Sequence, residues 1–328
     1  MIGQDRAHAE LKVLITGAIG FVGPYLVEAL WRILGREVLI VSTALTAEEH
    51  PLLGGVHALD VTDQAAVGEM IRRVGPTHVV HLAGLAATTA ANANEALAWQ
   101  VHVFGTLNIA NAILDHAPRC VLLSVGSGQV YGASARSGVP LSETAVLAPT
   151  NAYEVTKAAG DLAVGALAGR GLACVRLRPF NHTGPGQTGD FVIPSFAMQI
   201  ARIEAGLQPP VLKVGNLEAE RDFLDVRDVV AAYALAVAKS ESIAPGTILN
   251  VASGVPRRIQ SILDRLMALS RVPISTKIDS TRMRPSETAR YVGDATAAKK
   301  LLGWSPQIEF DATLAAVLDD CRARVAKL

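Results

Sequence analysis

The sequence has few cysteines, no net charge and no long hydrophobic segment. It has 3 cysteines in 328 residues, an odd number of widely separated thiols that indicates neither a disulfide framework nor a cysteine-rich metal site. Its 30 basic and 30 acidic side chains balance, whereas a polyanion-binding surface usually needs a basic excess, so we expect no nucleic-acid partner. No apolar run is long enough to span a bilayer, and residues 1–10 lack the apolar core of a signal peptide. We therefore expect a cytoplasmic protein with no membrane partner.

Short apolar runs alternate with alanine-rich stretches of helical spacing in the first half of the chain. The predicted strands are Lys12–Thr16, Val38–Val41, His78–Ala83, Cys120–Val125 and Ala173–Arg178. The predicted helices are Tyr25–Leu34, Glu95–His116 and Tyr153–Ala168. Such alternation forms βαβ units, in which the strands pair in parallel and the helices cover both faces of the sheet. The predicted fold class is therefore α/β, a Rossmann-type doubly wound parallel sheet.

The regular alternation ends after Pro179, where proline, glycine and asparagine cluster. The secondary-structure elements predicted beyond it, without a choice between helix and strand, are Ile193–Gly206, Val226–Lys239, Arg258–Ser270 and Ala295–Leu302. We predict a dinucleotide-binding domain with the catalytic residues over residues 1–180, and a smaller, interleaved substrate-binding region over residues 181–328. The chain has no repeat and no low-complexity tract.

A glycine-rich turn connects the first predicted strand to the first predicted helix, in the segment KVLITGAIGFVG. Glycines let a backbone turn tightly and approach a pyrophosphate, and the start of a helix presents free N–H groups and the positive end of its dipole. The alternative is a tight turn with no ligand. The residues predicted to hold a dinucleotide here are Gly17, Ile19, Gly20, Phe21, Val22 and Gly23.

The end of the second strand bears on the choice of dinucleotide. NAD-selective sites usually place an acid there for the ribose 2′-hydroxyl, and this chain has Ser42 and Thr43 instead. A neutral hydroxyl does not repel a 2′-phosphate, so NADP(H) is permitted and favoured, with NAD(H) left open. Asp60, followed by Val61, is a candidate for the adenine edge, and a plain loop acid is the alternative.

The segment NAYEVTK places Tyr153 and Lys157 four residues apart, on one face of a predicted helix. A fixed ammonium group favours tyrosinate, so we expect Lys157 to lower the pKa of Tyr153 and to make it a better proton donor and acceptor. Upstream, Ser127 follows a predicted core strand, where its hydroxyl can hydrogen-bond a substrate oxygen.

The order of the glycine turn, Ser127 and the Tyr153–Lys157 pair resembles the extended short-chain dehydrogenase/reductases, which modify nucleotide sugars. The resemblance implies that these three side chains are the catalytic triad and that Lys157 also binds the nicotinamide ribose. It further implies a homodimer formed through the helices predicted at Glu95–His116 and Tyr153–Ala168. One position departs from the family, because His102 stands where relatives commonly have Asn; we interpret His102 as structural. The family positions beside the cofactor are Leu82, Ala83, Gly84 and Pro179.

Longer segments, from NHTGPGQTGDF to MRPSE and GDATAAKKLLGW, resemble the GDP-4-dehydro-6-deoxy-D-mannose reductases within that family. The resemblance implies a GDP-linked 6-deoxy-4-ketohexose substrate. Asn181 and Arg284 would bind its phosphates, Arg221 a phosphate or the ribose, and Glu287 the guanine. Related dehydratases carry Thr-Asp-Glu or Thr-Ser-Glu where this chain has Ser127-Gly128-Gln129, and Gln129 has no titratable group to remove a C5 proton. This favours reduction of the C4 ketone. The implied substrate-binding residues are Gln129, Asn181, Val192, Arg221, Arg284 and Glu287.

Three alternatives remain open: a nucleotide-sugar 4-epimerase of the same fold, a 4,6-dehydratase with bound NAD(P), and a non-catalytic dinucleotide-binding redox sensor. Gln129 argues against the dehydratase alone, and the Tyr153–Lys157 pair argues against the sensor. A metal site is not expected, because His78 and His81 are three residues apart on one strand and face opposite sides.

Overall fold

The computed structural model describes residues 11–282 and 288–328, and Arg284 and Glu287 lie outside these ranges. The strands are β1 Lys12–Thr16, β2 Leu39–Ala44, β3 Glu48–His50, β4 Gly54–Ala58, β5 His78–His81, β6 Val121–Val125, β7 Cys174–Pro179, β8 Asn181–Thr183, β9 Val211–Val214, β10 Glu220–Asp225, β11 Thr247–Val251, β12 Pro256–Arg258, β13 Ser275–Ile278 and β14 Arg290–Tyr291. The helices are α1 Val22–Leu34, α2 Gln64–Val74, α3 Thr88–Ala93, α4 Glu95–Trp99, α5 Thr106–His116, α6 Ala152–Ala168, α7 Val192–Glu204, α8 Val226–Ala238, α9 Ile259–Ala268, α10 Thr296–Leu302 and α11 Phe310–Val325.

An eight-stranded sheet has the order β11-β7-β6-β5-β1-β2-β4-β3. The pairs from β7 through β4 are parallel, and only β3 is recorded as antiparallel to its neighbour among the described pairs. The predicted α/β class and all five predicted strands are confirmed, with ends that differ by at most three residues. None of the helices in the described ranges is both long and apolar enough to cross a membrane.

The chain forms two compact units, each assembled from separate segments. Among the described residues, unit 1 comprises 11–126, 155–177 and 230–248, and unit 2 comprises 127–154, 178–229, 249–282 and 288–328. The hydrophobic core of unit 1 lies among strand residues such as Leu14, Val79 and Leu122 and helix residues such as Ile109 and Ile113. All five of these side chains are almost fully buried.

A π-helical segment, Gln100–Gly105, interrupts the helix predicted at Glu95–His116 and separates α4 from α5. Two close approaches accompany it within unit 1. A Cβ on Gly105 would lie 2.8 Å from Val61 Cγ2, and a Cβ on Gly160 of α6 would lie 2.5 Å from the carbonyl oxygen of His102. The wider turn therefore packs against α6 where glycine leaves room for its backbone.

Unit 2 has its own core and a smaller sheet. Strand β10 pairs in parallel with β8 and β14 and antiparallel with β12. Helices α7, α9 and α11 enclose apolar side chains that include Phe196, Leu263 and Leu314, each at most 3% exposed. The four elements predicted after residue 180 are the helices α7, α8, α9 and α10, whereas α11 and the short strands were not predicted.

Candidate active site

The glycine turn after β1 has a backbone that only glycine adopts without strain. Gly17 has a φ of +70°, and a Cβ there would lie 2.8 Å from the backbone nitrogen and Cα of Ala83. A Cβ on Gly23 would lie 1.9 Å from the carbonyl oxygen of Ala18. Gly20 is less constrained, because its Cβ would meet only Gly17 O, at 3.2 Å. Two of the three glycines are therefore required by close backbone approaches.

This turn fits a dinucleotide pyrophosphate. It leads directly into α1, and none of the described side chains caps the N-terminus of that helix. The positive end of the helix dipole thus faces the turn, and the missing side chains at Gly17 and Gly23 keep the backbone accessible. Ile19, at the tip of the turn, is 39% exposed.

A chain of hydrogen bonds fixes the loop after β5 against this turn. Ala83 N–H donates to Thr16 Oγ1 at 3.4 Å, and Thr16 Oγ1 lies 2.7 Å from His81 Nδ1. On the other side of the ring, His81 Nε2 lies 3.1 Å from Thr106 Oγ1, whose hydroxyl donates to His102 O at 2.7 Å. Because Thr106 uses its proton on His102, His81 donates through Nε2–H and accepts from Thr16 at Nδ1.

His102 connects the same loop to α6. Leu85 N–H donates to His102 Nε2 at 2.9 Å, and His102 Nδ1 lies 2.9 Å from Thr156 Oγ1. Since Nε2 accepts a hydrogen bond, the neutral ring carries its proton on Nδ1 and donates it to Thr156. His102 is 3% exposed. It therefore joins the π-helical segment, the loop after Gly84 and the residue that precedes Lys157.

Lys157 is a half-buried cation beside neutral imidazoles. Its Nζ donates to Val125 O at 3.5 Å, and a Cβ on Gly84 would lie 3.2 Å from Nζ. Burial lowers the pKa of Lys157 to about 8. Burial, and secondly the charge of Lys157, lower the pKa values of His81 and His102 to about 3 each. Lys157 is therefore the group of this cluster that carries charge at neutral pH.

The residues predicted at the adenosine end differ in their availability. Ser42 and Thr43 are both buried in β2, and the Thr43 hydroxyl donates to Ile15 O at 3.1 Å. The hydroxyl proton of Thr43 is thus used within the sheet, which leaves Ser42 as the better candidate. Asp60 is exposed, and its Oδ1 accepts from the backbone N–H and hydroxyl of Thr62 at 2.9 and 2.7 Å. Asp60 therefore forms an Asx turn with one oxygen.

Ser127 and Tyr153 belong to unit 2, and both are buried. Ser127 precedes a single 3₁₀ turn, Gly128–Tyr131, and its Oγ accepts from Gln129 N–H at 3.1 Å. Burial raises the pKa of Tyr153, a hydrogen bond from Ser127 opposes that rise, and the carboxylate of Glu154 adds to it. The expected lowering of the Tyr153 pKa was wrong, because desolvation of the phenolate outweighs the hydrogen bond from Ser127 that favours it. Tyr153 is protonated at neutral pH.

The start of α6 is held by reciprocal capping that positions Tyr153. Asn151 Oδ1 accepts from Glu154 N–H at 3.0 Å, and Glu154 Oε2 accepts from the backbone N–H and hydroxyl of Thr150 at 2.7 and 2.9 Å. Tyr153 lies in this first helical turn, and Lys157 follows one turn later on the same helix. The predicted helical spacing of the pair is confirmed.

The described substrate candidates are spread over unit 2. Asn181 lies in β8, Val192 begins α7 and Gln129 lies in the 3₁₀ turn. Arg221 lies in β10, where its Nη1 donates to the carbonyl oxygens of Glu220, Thr288 and Ala289 at 2.8, 3.2 and 3.4 Å. Arg221 therefore supports the chain that follows Glu287.

Two further residues near Ser127 were not predicted to be part of the site. Tyr291, in the two-residue strand β14, donates its hydroxyl proton to Gly128 O at 2.8 Å. Phe180, which follows β7, stacks near Tyr131 with ring centroids 6.4 Å apart. Tyr291 belongs to no periodic pattern or spaced motif that a sequence search could find.

The predicted orientation of His78 and His81 agrees with their partners. His78 Nε2 lies 2.9 Å from Ser240 Oγ, whereas His81 contacts Thr16 and Thr106. Within residues 11–282 and 288–328, no group of three His, Cys, Asp or Glu side chains could hold a metal ion. The three cysteines are buried free thiols.

Comparison with known proteins gives consistent similarities. Residues 14–317 match the family described as GDP-mannose 4,6 dehydratase. The chain is 34% identical over 317 residues to the GDP-6-deoxy-D-mannose reductase of Pseudomonas aeruginosa, covering 96% of this chain and 98% of that protein. It is 25% identical over 295 residues to the GDP-6-deoxy-D-talose 4-dehydrogenase of Aggregatibacter actinomycetemcomitans, covering 89% and 92%. The solved structure of RMD from Pseudomonas aeruginosa complexed with NADPH aligns with a TM-score of 0.83 and 31% identity, covering 96% and 99%.

Proposed function

Because the chain belongs to the GDP-mannose 4,6 dehydratase family, we propose that it acts on a GDP-linked sugar as an NAD(P)H-dependent 4-ketoreductase. The reaction is reduction of the C4 ketone of GDP-4-dehydro-6-deoxy-D-mannose to give GDP-D-rhamnose. One observation carries this choice within the family. Ser127, which forms a hydrogen bond with Tyr153, begins a short turn. That turn contains the amide Gln129, whereas the elimination of water by a dehydratase needs a carboxylate base there.

Tyr153 is the proton donor in this proposal. The raised pKa keeps its phenol protonated at neutral pH, so it can donate to the C4 oxygen as that oxygen becomes an alkoxide. When substrate is bound, Ser127 donates its single hydroxyl proton to the same oxygen instead of to Tyr153, and so stabilises the developing charge of that oxygen. Lys157 supplies a positive charge one helical turn from Tyr153, and its ammonium group would bind the nicotinamide ribose. In the overall balance, C4 gains a hydride, its oxygen gains a proton and NADPH becomes NADP⁺.

NADPH or NADH supplies the hydride when bound. The backbone of the glycine turn and the start of α1 would hold its pyrophosphate, as the fit of that turn indicates. Ser42 and Asp60 would face the adenosine half, and the absence of an acid at Ser42 favours NADP(H). The residues assigned to the rest of the cofactor are Val61, Leu82, Ala83, Gly84, Lys157 and Pro179.

The nucleotide-sugar residues remain part of the proposal. Asn181 and Arg221 would bind the diphosphate or ribose, Arg284 a second phosphate charge, and Glu287 the N1–H and N2–H of guanine. Gln129 and Val192 would line the sugar end. The hydrogen bonds from the Arg221 side chain to Thr288 O and Ala289 O support a common role for Arg221 and Glu287, because they anchor the chain immediately after Glu287.

A turnover assay tests the proposal. The purified protein is given GDP-4-dehydro-6-deoxy-D-mannose with NADPH or NADH, and cofactor oxidation is followed by absorbance. We expect one cofactor oxidised per ketone consumed and GDP-D-rhamnose as the product. No oxidation of either cofactor would refute the ketoreductase. Conversion of UDP-galactose to UDP-glucose without net oxidation would indicate the 4-epimerase instead, and a C4-inverted product would indicate a talose-forming relative.

A homodimer with a cytoplasmic location completes the proposal. Phe104 and Leu162, on the two helices that the resemblance assigns to a subunit contact, are 56% and 55% exposed. Burying such side chains in a subunit contact would remove apolar surface from water. Sedimentation equilibrium should give twice the mass of one chain, and Phe104→Asp should lower it. Val146→Asp, at another exposed apolar side chain, is the control.

Fractionation of the producing cells tests the proposed cytoplasmic location.

A further inference from the structure

The short turn after Ser127 is held by a residue far away in the sequence. Tyr291 donates its hydroxyl proton to Gly128 O at 2.8 Å and accepts from Gly132 N–H at 3.1 Å. Gly128 is the first residue of the 3₁₀ turn Gly128–Tyr131, and Gly132 is the residue that follows it. One hydroxyl oxygen therefore bridges both ends of the turn that Ser127 begins.

The ring of Phe180 supports the same turn from one side. Phe180 is 5% exposed, and its centroid lies 5.9 Å from that of Tyr291 and 6.4 Å from that of Tyr131. A Cβ on Gly128 would lie 2.7 Å from Phe180 Cδ2, and one on Gly293 would lie 2.6 Å from Phe180 Cε2. The turn thus rests directly on an aromatic ring, with no side chain between them.

The backbone of this region leaves the turn few other conformations. Gly132 has a φ of +48°, and a Cβ there would lie 2.0 Å from Ala148 O. Gly132 N–H also donates to Gln129 O at 3.0 Å, so this one N–H is shared between the turn and the hydroxyl of Tyr291. Burial raises the pKa of Tyr291 above its ordinary value, which keeps this hydroxyl a donor.

We propose that Tyr291 is a positioning residue for Ser127. Its hydroxyl fixes the turn whose Gln129 N–H donates to Ser127 Oγ, so that Ser127 presents its hydroxyl proton to the C4 oxygen in one orientation. This proposal rests on the role of Ser127 in the proposed ketone reduction. A shift of about 1 Å in a catalytic group costs up to about 100-fold in rate, so a bond this close to Ser127 is expected to be visible in kcat.

The test is a double-mutant cycle with Ser127→Ala and Tyr291→Phe. Tyr291→Phe removes one oxygen and keeps the ring beside Phe180. We expect about a tenfold fall in kcat, with the KM for NADPH unchanged within about twofold. In the Ser127→Ala background, Tyr291→Phe should change kcat by less than twofold, because the group through which it acts is gone. A multiplicative effect in that background, or an unchanged kcat in the single variant, overturns the proposal.

A second tyrosine in the same turn separates positioning from stability. Tyr131 donates its hydroxyl proton to Asn250 Oδ1 at 2.7 Å and accepts from Arg178 Nη1 at 2.9 Å, and neither bond involves the backbone of the turn. Tyr131→Phe should lower Tm at least as much as Tyr291→Phe while reducing kcat less than threefold. If the two variants lose kcat in proportion to Tm, or if Tyr291→Phe fails to fold at 25 °C, Tyr291 is a stability residue. An inactive wild-type protein would instead refute the proposed function and leave no rate for either substitution to alter.

Discussion

The surroundings of Lys157 in unit 1 and those of Ser127 in unit 2 differ in how they hold a functional group. Lys157 lies beside His81 and His102, whose tautomers are fixed by hydrogen bonds and whose pKa values are lowered to about 3. Ser127 has no imidazole among its recorded partners in the described residues; its turn is held by the hydroxyl of Tyr291 and by backbone bonds. The surroundings of Lys157 therefore leave one positive charge in unit 1, whereas the surroundings of Ser127 determine the orientation of its hydroxyl group.

This difference suggests that the two regions respond to different perturbations. Neutral imidazoles beside a cation avoid like-charge repulsion only while they remain unprotonated, so unit 1 is sensitive to acid. Hydroxyl groups with raised pKa values do not titrate near neutrality. The region around Ser127 is instead sensitive to substitutions that remove one hydrogen-bonding oxygen.

The largest effect is expected at Tyr153. Tyr153→Phe removes the proposed proton donor, and general acid catalysis contributes roughly 10²–10⁴-fold, so kcat should fall by about that factor. The dissociation constant for NADPH, measured by fluorescence titration, should stay within about twofold. An unchanged kcat in Tyr153→Phe would remove Tyr153 from the mechanism. Lys157 would then be the remaining candidate functional group of α6.

The next effect concerns the glycine turn of unit 1. Gly17 and Gly54 share nearly the same backbone conformation, with φ values of +70° and +68°. A Cβ on Gly17 would contact Ala83, whereas one on Gly54 has nothing within 4 Å. Gly54→Ala should lower the free energy of unfolding by about 1 kcal/mol from strain alone, and Gly17→Ala by about 2–4 kcal/mol. Urea denaturation measures both.

The affinity for NADPH distinguishes the Gly17→Ala and Gly54→Ala variants further. Gly17→Ala should weaken NADPH binding at least about tenfold, and Gly54→Ala should not change it. Equal affinities in the two folded variants would show that the turn after β1 is a structural feature with no dinucleotide.

A smaller effect is expected from the histidines of unit 1. His78, His81 and His102 have pKa values lowered by burial from 6.5 to about 4, 3 and 3. Between pH 6.5 and about 4 the unfolded chain therefore binds more protons than the folded one. Stability from these residues is complete above pH 6.5 and is lost as the pH falls, by about 1.4 kcal/mol per pH unit for each proton.

A single substitution tests that assignment. His102→Asn should reduce the slope of unfolding free energy against pH by about one proton in this window. An identical slope in wild type and His102→Asn would contradict the neutral, buried imidazole, and with it the contrast between the two regions.

Local patterns in the sequence predicted the sheet strands and helix α6, because the strand period, the helix period and the YxxxK spacing are short-range signals. The π-helical segment was not predictable in this way, since it keeps an apolar helical pattern and differs in its hydrogen bonds. The error at Tyr153 has a similar origin. Sequence spacing shows that Lys157 is near, but only the folded structure shows how strongly burial acts on the phenol.

Long-range contacts account for the remaining differences. Tyr291 is 163 residues from the carbonyl oxygen it binds, and nothing in the ARYVG segment distinguishes it from a core tyrosine. His102 illustrates an intermediate case. Its structural interpretation is supported by its bond from Leu85 N–H, whereas its bond to Thr156 depends on how closely the π-helical segment approaches α6.

The most direct test of the account is the fate of a labelled hydride. The protein is incubated with GDP-4-dehydro-6-deoxy-D-mannose and NADPH carrying deuterium at the transferable position of its nicotinamide, and the sugar product is examined by NMR. The account predicts one deuterium at C4, in the configuration of GDP-D-rhamnose, for each NADPH oxidised. A product without deuterium at C4, or substrate conversion with no NADPH consumed, would contradict it.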